Sequence, residues 1–209
     1  MSQASTKQLV QRVLFGIGLT SILVAVVVGL VHAVSVEHRL PAVRPPSYFH
    51  NVESMLANEK YVRAIDQLWL AIAMQPRDGD IKRLLEAIAS ARETKKLDPL
   101  QCDEYEAKAW KTLLRINAQA LVSAEVFFKL GSAQLRIGNS ELSAARSNIE
   151  RAIQLRPRFP QALANLARVL IRMDKRGLAG RHLQAARSMD PNLPLVRLAQ
   201  QEYEGRLGP

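Results

Sequence analysis

One spacing recurs three times along this chain of 209 residues: small residue, large residue, small residue, proline, in the form A-x3-[LI]-x2-A-x4-P. Ala64, Leu68, Ala71 and Pro76 write it first, then Ala145, Ile149, Ala152 and Pro157, then Ala179, Leu183, Ala186 and Pro191. Intervals of three and four put the first three residues on one face of a helix. Proline has no N–H and clashes with the turn before it, so it stops that helix. The alanines let a second helix come close, and the larger residue fills the gap to the next pair. Pro157 and Pro191 lie 34 residues apart, so the unit is a repeating helix hairpin.

The helix that precedes each copy can be read in the same way. Leu163, Leu166, Ala167 and Leu170 lead into the last copy; Phe127, Leu130, Gly131 and Gly138 lead into the middle one. In this constellation the chain resembles the tetratricopeptide repeat family. Its hairpins carry a large residue, a Leu-Gly or similar pair, an aromatic or Leu, then A-x3-F-x2-A and a closing Pro. The resemblance implies an all-α fold: a right-handed α-solenoid of about four helix pairs with a capping helix.

Two stretches depart from the pattern. In the first pair, Asn51 and Val52 occupy the Leu-Gly slots, or Phe49, Val52 and Leu56 take over the packing. Residues 77–123 form one degenerate, lengthened repeat. Asp80 is expected to cap a helix carrying Ile81, Leu84, Leu85 and Ile88, and Asp98-Pro99 to open another with Trp110, Leu113 and Leu114 on one face. Ala118 stands in for the closing proline there. The repeats are thus expected over 48–76, 77–123, 124–157 and 158–191. Residues 192–209, with Leu195, Val196, Leu198, Ala199 and Tyr203, are expected to cover the apolar face of the last one.

A polar tail over 1–12 precedes the repeats. Residues 13–36 then contain no formal charge. At about 1.5 Å per residue, a helix there spans roughly 36 Å, enough for a hydrocarbon core of about 30 Å. Val31-His32-Ala33 looks like a signal-peptide cleavage site, but the run exceeds the roughly 7–15 residues of a signal core. A single transmembrane helix is therefore expected in the cell (inner) membrane. Lys7 and Arg12 before the span balance Arg39 and Arg44 after it. The short tail with its α-amino charge tips the repeats towards the extracytoplasmic, periplasmic side. Pro41, Pro45 and Pro46 make 37–47 a stiff spacer. Ser21, Ala25, Gly29 and Ala33 recur every four residues, a stripe that lets another membrane helix approach.

No motif for catalysis is found: no Gly-rich phosphate loop, no G-x-S-x-G, no H-E-x-x-H, no C-x-x-C-H. His32, His38, His50 and His182 are scattered, Cys102 stands alone, and no cofactor or metal is called for. Asp103, Glu104 and Glu106 read as a solvated acidic face. The net charge of +10 is uneven: residues 126–209 carry 14 Lys/Arg against 6 Asp/Glu. Nucleic-acid binding would rest on that charge alone, without aromatic interleaving, and is set aside.

The first helices of the family's hairpins line a partner groove. On its register the resemblance places Lys129, Arg136, Asn165, Arg168 and Arg172 there, loosely like the family's clamp for a terminal carboxylate. The expected partners are protein subunits of a membrane complex, and an acidic protein segment for the groove. The role is a membrane-anchored scaffold or assembly subunit; the alternative is a membrane-tethered receptor that captures acidic segments or client proteins transiently. Replacing Ala25 and Gly29 together with Leu is expected to weaken assembly without reducing membrane insertion. Co-purification of the double variant checks this, and unchanged recovery of partners would refute it.

Overall fold

The computed structural model describes residues 47–205. The tail over 1–12, the span over 13–36 with its small-residue stripe, the spacer up to residue 46 and the last four residues lie outside that range. Among the described residues no helix is long and apolar enough to cross a membrane.

Every regular element described is helical. Four hairpins follow one another: α1 (Ser47–Ala57) with α2 (Tyr61–Met74), and α3 (Asp78–Glu93) with α4 (Pro99–Ile116). Next come α5 (Ala124–Ile137) with α6 (Leu142–Leu155), and α7 (Pro160–Arg172) with α8 (Arg176–Met189). A last helix, α9 (Pro194–Tyr203), packs on α7 and α8 through buried Val196 and Ala199.

Hairpins one, two and four turn in the same way. Glu59 (φ 54°), Lys95 (φ 54°) and Asp174 (φ 56°) are left-handed. The next amide in each reaches back five residues: Lys60 N–H to Met55 O at 2.8 Å, Lys96 to Ala91 at 3.0 Å, Lys175 to Leu170 at 2.8 Å. This closure satisfies carbonyls that the helix end leaves open. In hairpin three the left-handed residue is Gly138 (φ 118°), followed by a 3-10 turn over Asn139–Glu141.

These turns set the register of all four hairpins. Seven residues before each left-handed position stands a buried residue: Val52, Ile88, Gly131 and Ala167. The small residue on the second helix follows 12 residues later in hairpins one and four (Ala64, Ala179) and 14 later in hairpins two and three (Cys102, Ala145). All four of these small residues are fully buried. Cys102 is thus the alanine of hairpin two. Glu106 takes the large-residue slot, Ala109 the second alanine, and Leu114 the slot of the closing proline. With no proline there, α4 runs on to Ile116, for 18 residues. Ala118 does not close the repeat; it opens a 3-10 turn over Ala118–Val122.

Two further readings are refined. Asp80 is not a cap: α3 begins at Asp78, so Asp80 lies within the first turn and is buried. In α1, Asn51 is exposed and Val52 is buried; Val52 stands where Gly131 and Ala167 stand in their hairpins, so Asn51 and Val52 occupy the Leu-Gly slots, and Leu56 packs against the same cluster as Val52. Asp98 does cap α4, accepting from Leu100 N–H at 2.9 Å and Gln101 N–H at 3.2 Å, with Pro99 behind it.

The buried apolar residues fall into three clusters. One cluster joins α1 to α4 around Ile65, Leu68, Ile81, Leu84 and Ile88. A second joins α5 to α9 around Leu135, Ile149, Leu166 and Leu170. Between them lies a small group, Ala107, Leu130 and Ala133, flanked by Trp110, Leu114 and Ile137.

At Gly131 the two helices of hairpin three approach closely. A Cβ there would stand 2.6 Å from Ile149 Cγ1 and 3.0 Å from the Ala145 carbonyl oxygen. Backbone cannot retreat as a side-chain tip can. Gly131→Ala is therefore expected to cost about 1–3 kcal/mol of stability, the range for overpacked cores. Urea denaturation followed by circular dichroism measures it.

Candidate functional site

Four of the five cations and amides assigned to a partner groove are engaged by the chain itself. Asn165 is 3% exposed, and its Nδ2 donates to Ser132 Oγ at 2.9 Å. Its Oδ1 accepts from Arg168 Nη1 at 3.3 Å. Arg168 in turn grips the Glu202 carboxylate with two bonds, Nε to Oε2 at 3.0 Å and Nη2 to Oε1 at 2.8 Å. A polar chain therefore crosses three helices, α5, α7 and α9, and fixes the capping helix to its neighbour. Both side chains of the ion pair are largely buried, 13% and 6% exposed. Charge-assisted, bidentate geometry of this kind is the strong form of the interaction.

Arg172 donates to the Leu135 carbonyl oxygen at 3.0 Å, near the end of α5, where open carbonyls and the helix dipole favour a cation. Lys129 is exposed on α5 and has no ion pair among the described residues. The five residues are thus not one patch. An acidic segment arriving at this face would find Lys129 free, while the other four are already held by groups of the chain itself.

Arg136 belongs to a different structure. Its Nε donates to Asp103 Oδ1 at 2.6 Å and its Nη2 to Glu106 Oε2 at 2.7 Å. Arg92 approaches the same two oxygens from α3, at 2.7 and 3.0 Å. This corrects the reading of Asp103, Glu104 and Glu106 as a solvated face. Glu104 is exposed, but Asp103 and Glu106 are three apart on α4, point the same way and are largely buried. The network spans α3, α4 and α5, at the joint between the two apolar clusters. There the large-residue slot holds Glu106 in place of a hydrocarbon.

Fully buried Gln134 adds a third internal contact: its Nε2 donates to Glu141 Oε2 at 2.7 Å, and its Oε1 accepts from Asn148 Nδ2 at 2.7 Å. Burial pushes the Cys102 thiol above its ordinary pKa, which keeps it protonated and unreactive at neutral pH. Burial also lowers the His182 imidazole; Glu150 opposes this, and Arg181 and Arg146 add to it. Among the described residues no group of His, Cys, Asp and Glu could hold a metal ion.

The sequence carried a signal for these contacts that pattern reading missed. Asn165 lies 33 residues after Ser132, Arg136 33 after Asp103, and Glu202 34 after Arg168. Complementary polar residues one repeat length apart stack on neighbouring helices.

Arg168→Ala strands the buried Glu202 carboxylate, and loss of one partner from such a pair typically costs about 3–5 kcal/mol. The expected result is a protein destabilised by that order, with amide protection lost first in α9. Hydrogen exchange resolved by peptide tests the location, and equal loss in α3 would contradict it.

No family model and no curated protein matches the sequence. Solved structures do match the fold. The chain is similar to a crystal structure of MamA, with 20% identity and a TM-score of 0.54, over 74% of this chain and 84% of that one. It is similar to MamA MSR-1 C2, with 19% identity and a TM-score of 0.52, over 78% and 92%. It is similar too to a thermophilic TPR protein in Thermus thermophilus, with 18% identity and a TM-score of 0.48, over 78% and 82%. Identities this low speak to fold alone. With the hairpin register above, the two MamA structures establish that fold as an all-α solenoid of the tetratricopeptide type.

Proposed function

We propose that this protein is a membrane-anchored protein–protein interaction scaffold, an accessory or assembly subunit of a larger membrane complex. The carrying observation is the stack of four helix hairpins closed by α9. Such a solenoid offers extended helix surfaces to a partner, and its repeating plan serves surface display. Protein partners are what the tetratricopeptide resemblance implies. The anchor is residues 13–36, whose uncharged length fits a bilayer. Their small-residue stripe supports packing against a partner's membrane helix.

The second reading, a tethered receptor that captures acidic segments or client proteins transiently, draws on the 14 Lys/Arg against 6 Asp/Glu in residues 126–209. Purification of the full chain in mild detergent separates the two. The scaffold is expected to leave the membrane as a complex of fixed stoichiometry, and an isolated monomer would favour the receptor. Topology has its own test, a cysteine introduced into the 37–47 spacer and a membrane-impermeant thiol probe. Native Cys102 is fully buried and stays silent. Labelling in intact cells is expected from an extracytoplasmic domain; labelling only after lysis reverses the assignment.

A further inference from the structure

The outward faces of the second helices are not alike. Counted from the small crossing residue, α6 places Glu150, Arg151 and Gln154 outward and α8 places Gln184, Ala185 and Ser188. At the same three positions α2 has Trp69, Leu70 and Ala73. Leu70 is 55% exposed. That face carries no apolar residue in α6 and only Ala185 in α8, but three in α2, and the next helix faces it with cations. Lys108, Lys111 and Arg115 stand on one face of α4, at intervals of three and four, and form the opposite wall. The two walls bound an open groove of about 810 Å³.

The groove's chemistry is specific. The Lys108 ammonium sits over the Trp69 ring, 4.3 Å from its centre. The indole Nε1–H is buried and finds no acceptor. Lys111 reaches Glu141 at 3.6 Å, in a contact where the lysine is half exposed. Arg115 is exposed and has no described partner. One carboxylate, Asp66, also lines the groove, which leaves its charge positive.

We propose that this α2/α4 groove docks an acidic amphipathic helix of a partner protein. Its apolar side lies on Trp69, Leu70 and Ala73, and carboxylates three or four residues apart meet Lys108, Lys111 and Arg115. A rod between two walls suits a concave surface, whereas a flat bilayer meets only protruding side chains. A second copy of this chain is disfavoured, because its strongly basic second half would bring like charge. The groove lies on the second helices, so it is distinct from the face that holds Lys129. It rests on the scaffold reading and names where one partner sits.

The test uses the full chain reconstituted in phosphatidylcholine vesicles, with Trp110→Phe so that Trp69 is the only tryptophan. The probe is a synthetic helical peptide with Leu at i, i+3, i+4 and i+7 and Glu on the flanks. Its addition is expected to shift Trp69 emission saturably. Lys108→Glu with Lys111→Glu is expected to weaken binding by at least about tenfold, as is Leu70→Asp, each checked for native circular dichroism. The same peptide with Gln for Glu is expected to bind weakly, and the Glu peptide to weaken as salt shortens the screening length. Equal affinity of the Gln peptide, or unchanged affinity in both variants, overturns the proposal. So does a Trp69 response to phosphatidylglycerol in the vesicles but not to the peptide, which would assign the face to lipid. If the groove variants leave a co-purifying complex intact, the groove assignment fails and the scaffold stands. If no complex is recovered from wild type either, the scaffold reading fails by itself.

Discussion

Each hairpin of this protein is organised by one steric constraint, the near contact of two helix backbones at a small residue. At Gly131 the contact is so close that a single Cβ would penetrate Ile149 and touch a carbonyl of α6. Ala64, Cys102, Ala145 and Ala179 mark the equivalent point on the second helix of each hairpin, and none is exposed. The turn has to bring these points into register. It does so with one left-handed residue and with the partners either 12 or 14 positions apart. The larger residues pack around that fixed crossing, which leaves them freer to vary than the small ones.

The polar residues make sense once the crossing is fixed. Stacked hairpins place equivalent residues one repeat apart on neighbouring helices, where they can pair. Asn165 with Ser132, Arg168 with Glu202 and Arg136 with Asp103 are three such pairs. Two of them tie α7 to its neighbours on either side. The third sits at the joint between the apolar clusters, where hydrocarbon is thin and ionic contacts replace it. Arg92 and Arg136 are each about one-third exposed, so solvent screens that joint more than the Arg168–Glu202 pair. A solenoid held this way has unequal seams: buried polar pairs stitch α7 to α5 and α9, and a more exposed ionic network joins α3, α4 and α5.

Polar atoms used inside the fold are not available outside it, and that shapes where a partner can bind. The first-helix face of the last two hairpins spends its arginines on cohesion. The second-helix face of the first two hairpins carries unspent apolar surface beside a row of cations. The two faces differ because α5, α7 and α9 must be stitched to one another, whereas α2 shows its outer side to solvent.

The sequence alone determined the hairpin, its period and its helix stops, because proline geometry and small-residue spacing are local or follow helical periodicity. Three of the four crossings were legible as alanines. Cys102 was not, since two extra residues after the turn hid its register and no proline followed at Leu114. Nor could sequence decide which cations were free. Arg168 and Lys129 look alike as exposed-helix residues until α9 brings Glu202 across from 34 positions away. Asp103 and Glu106 likewise become buried partners only when α3 and α5 deliver Arg92 and Arg136. Burial and pairing are set by which helices meet, and only the tertiary structure fixes that.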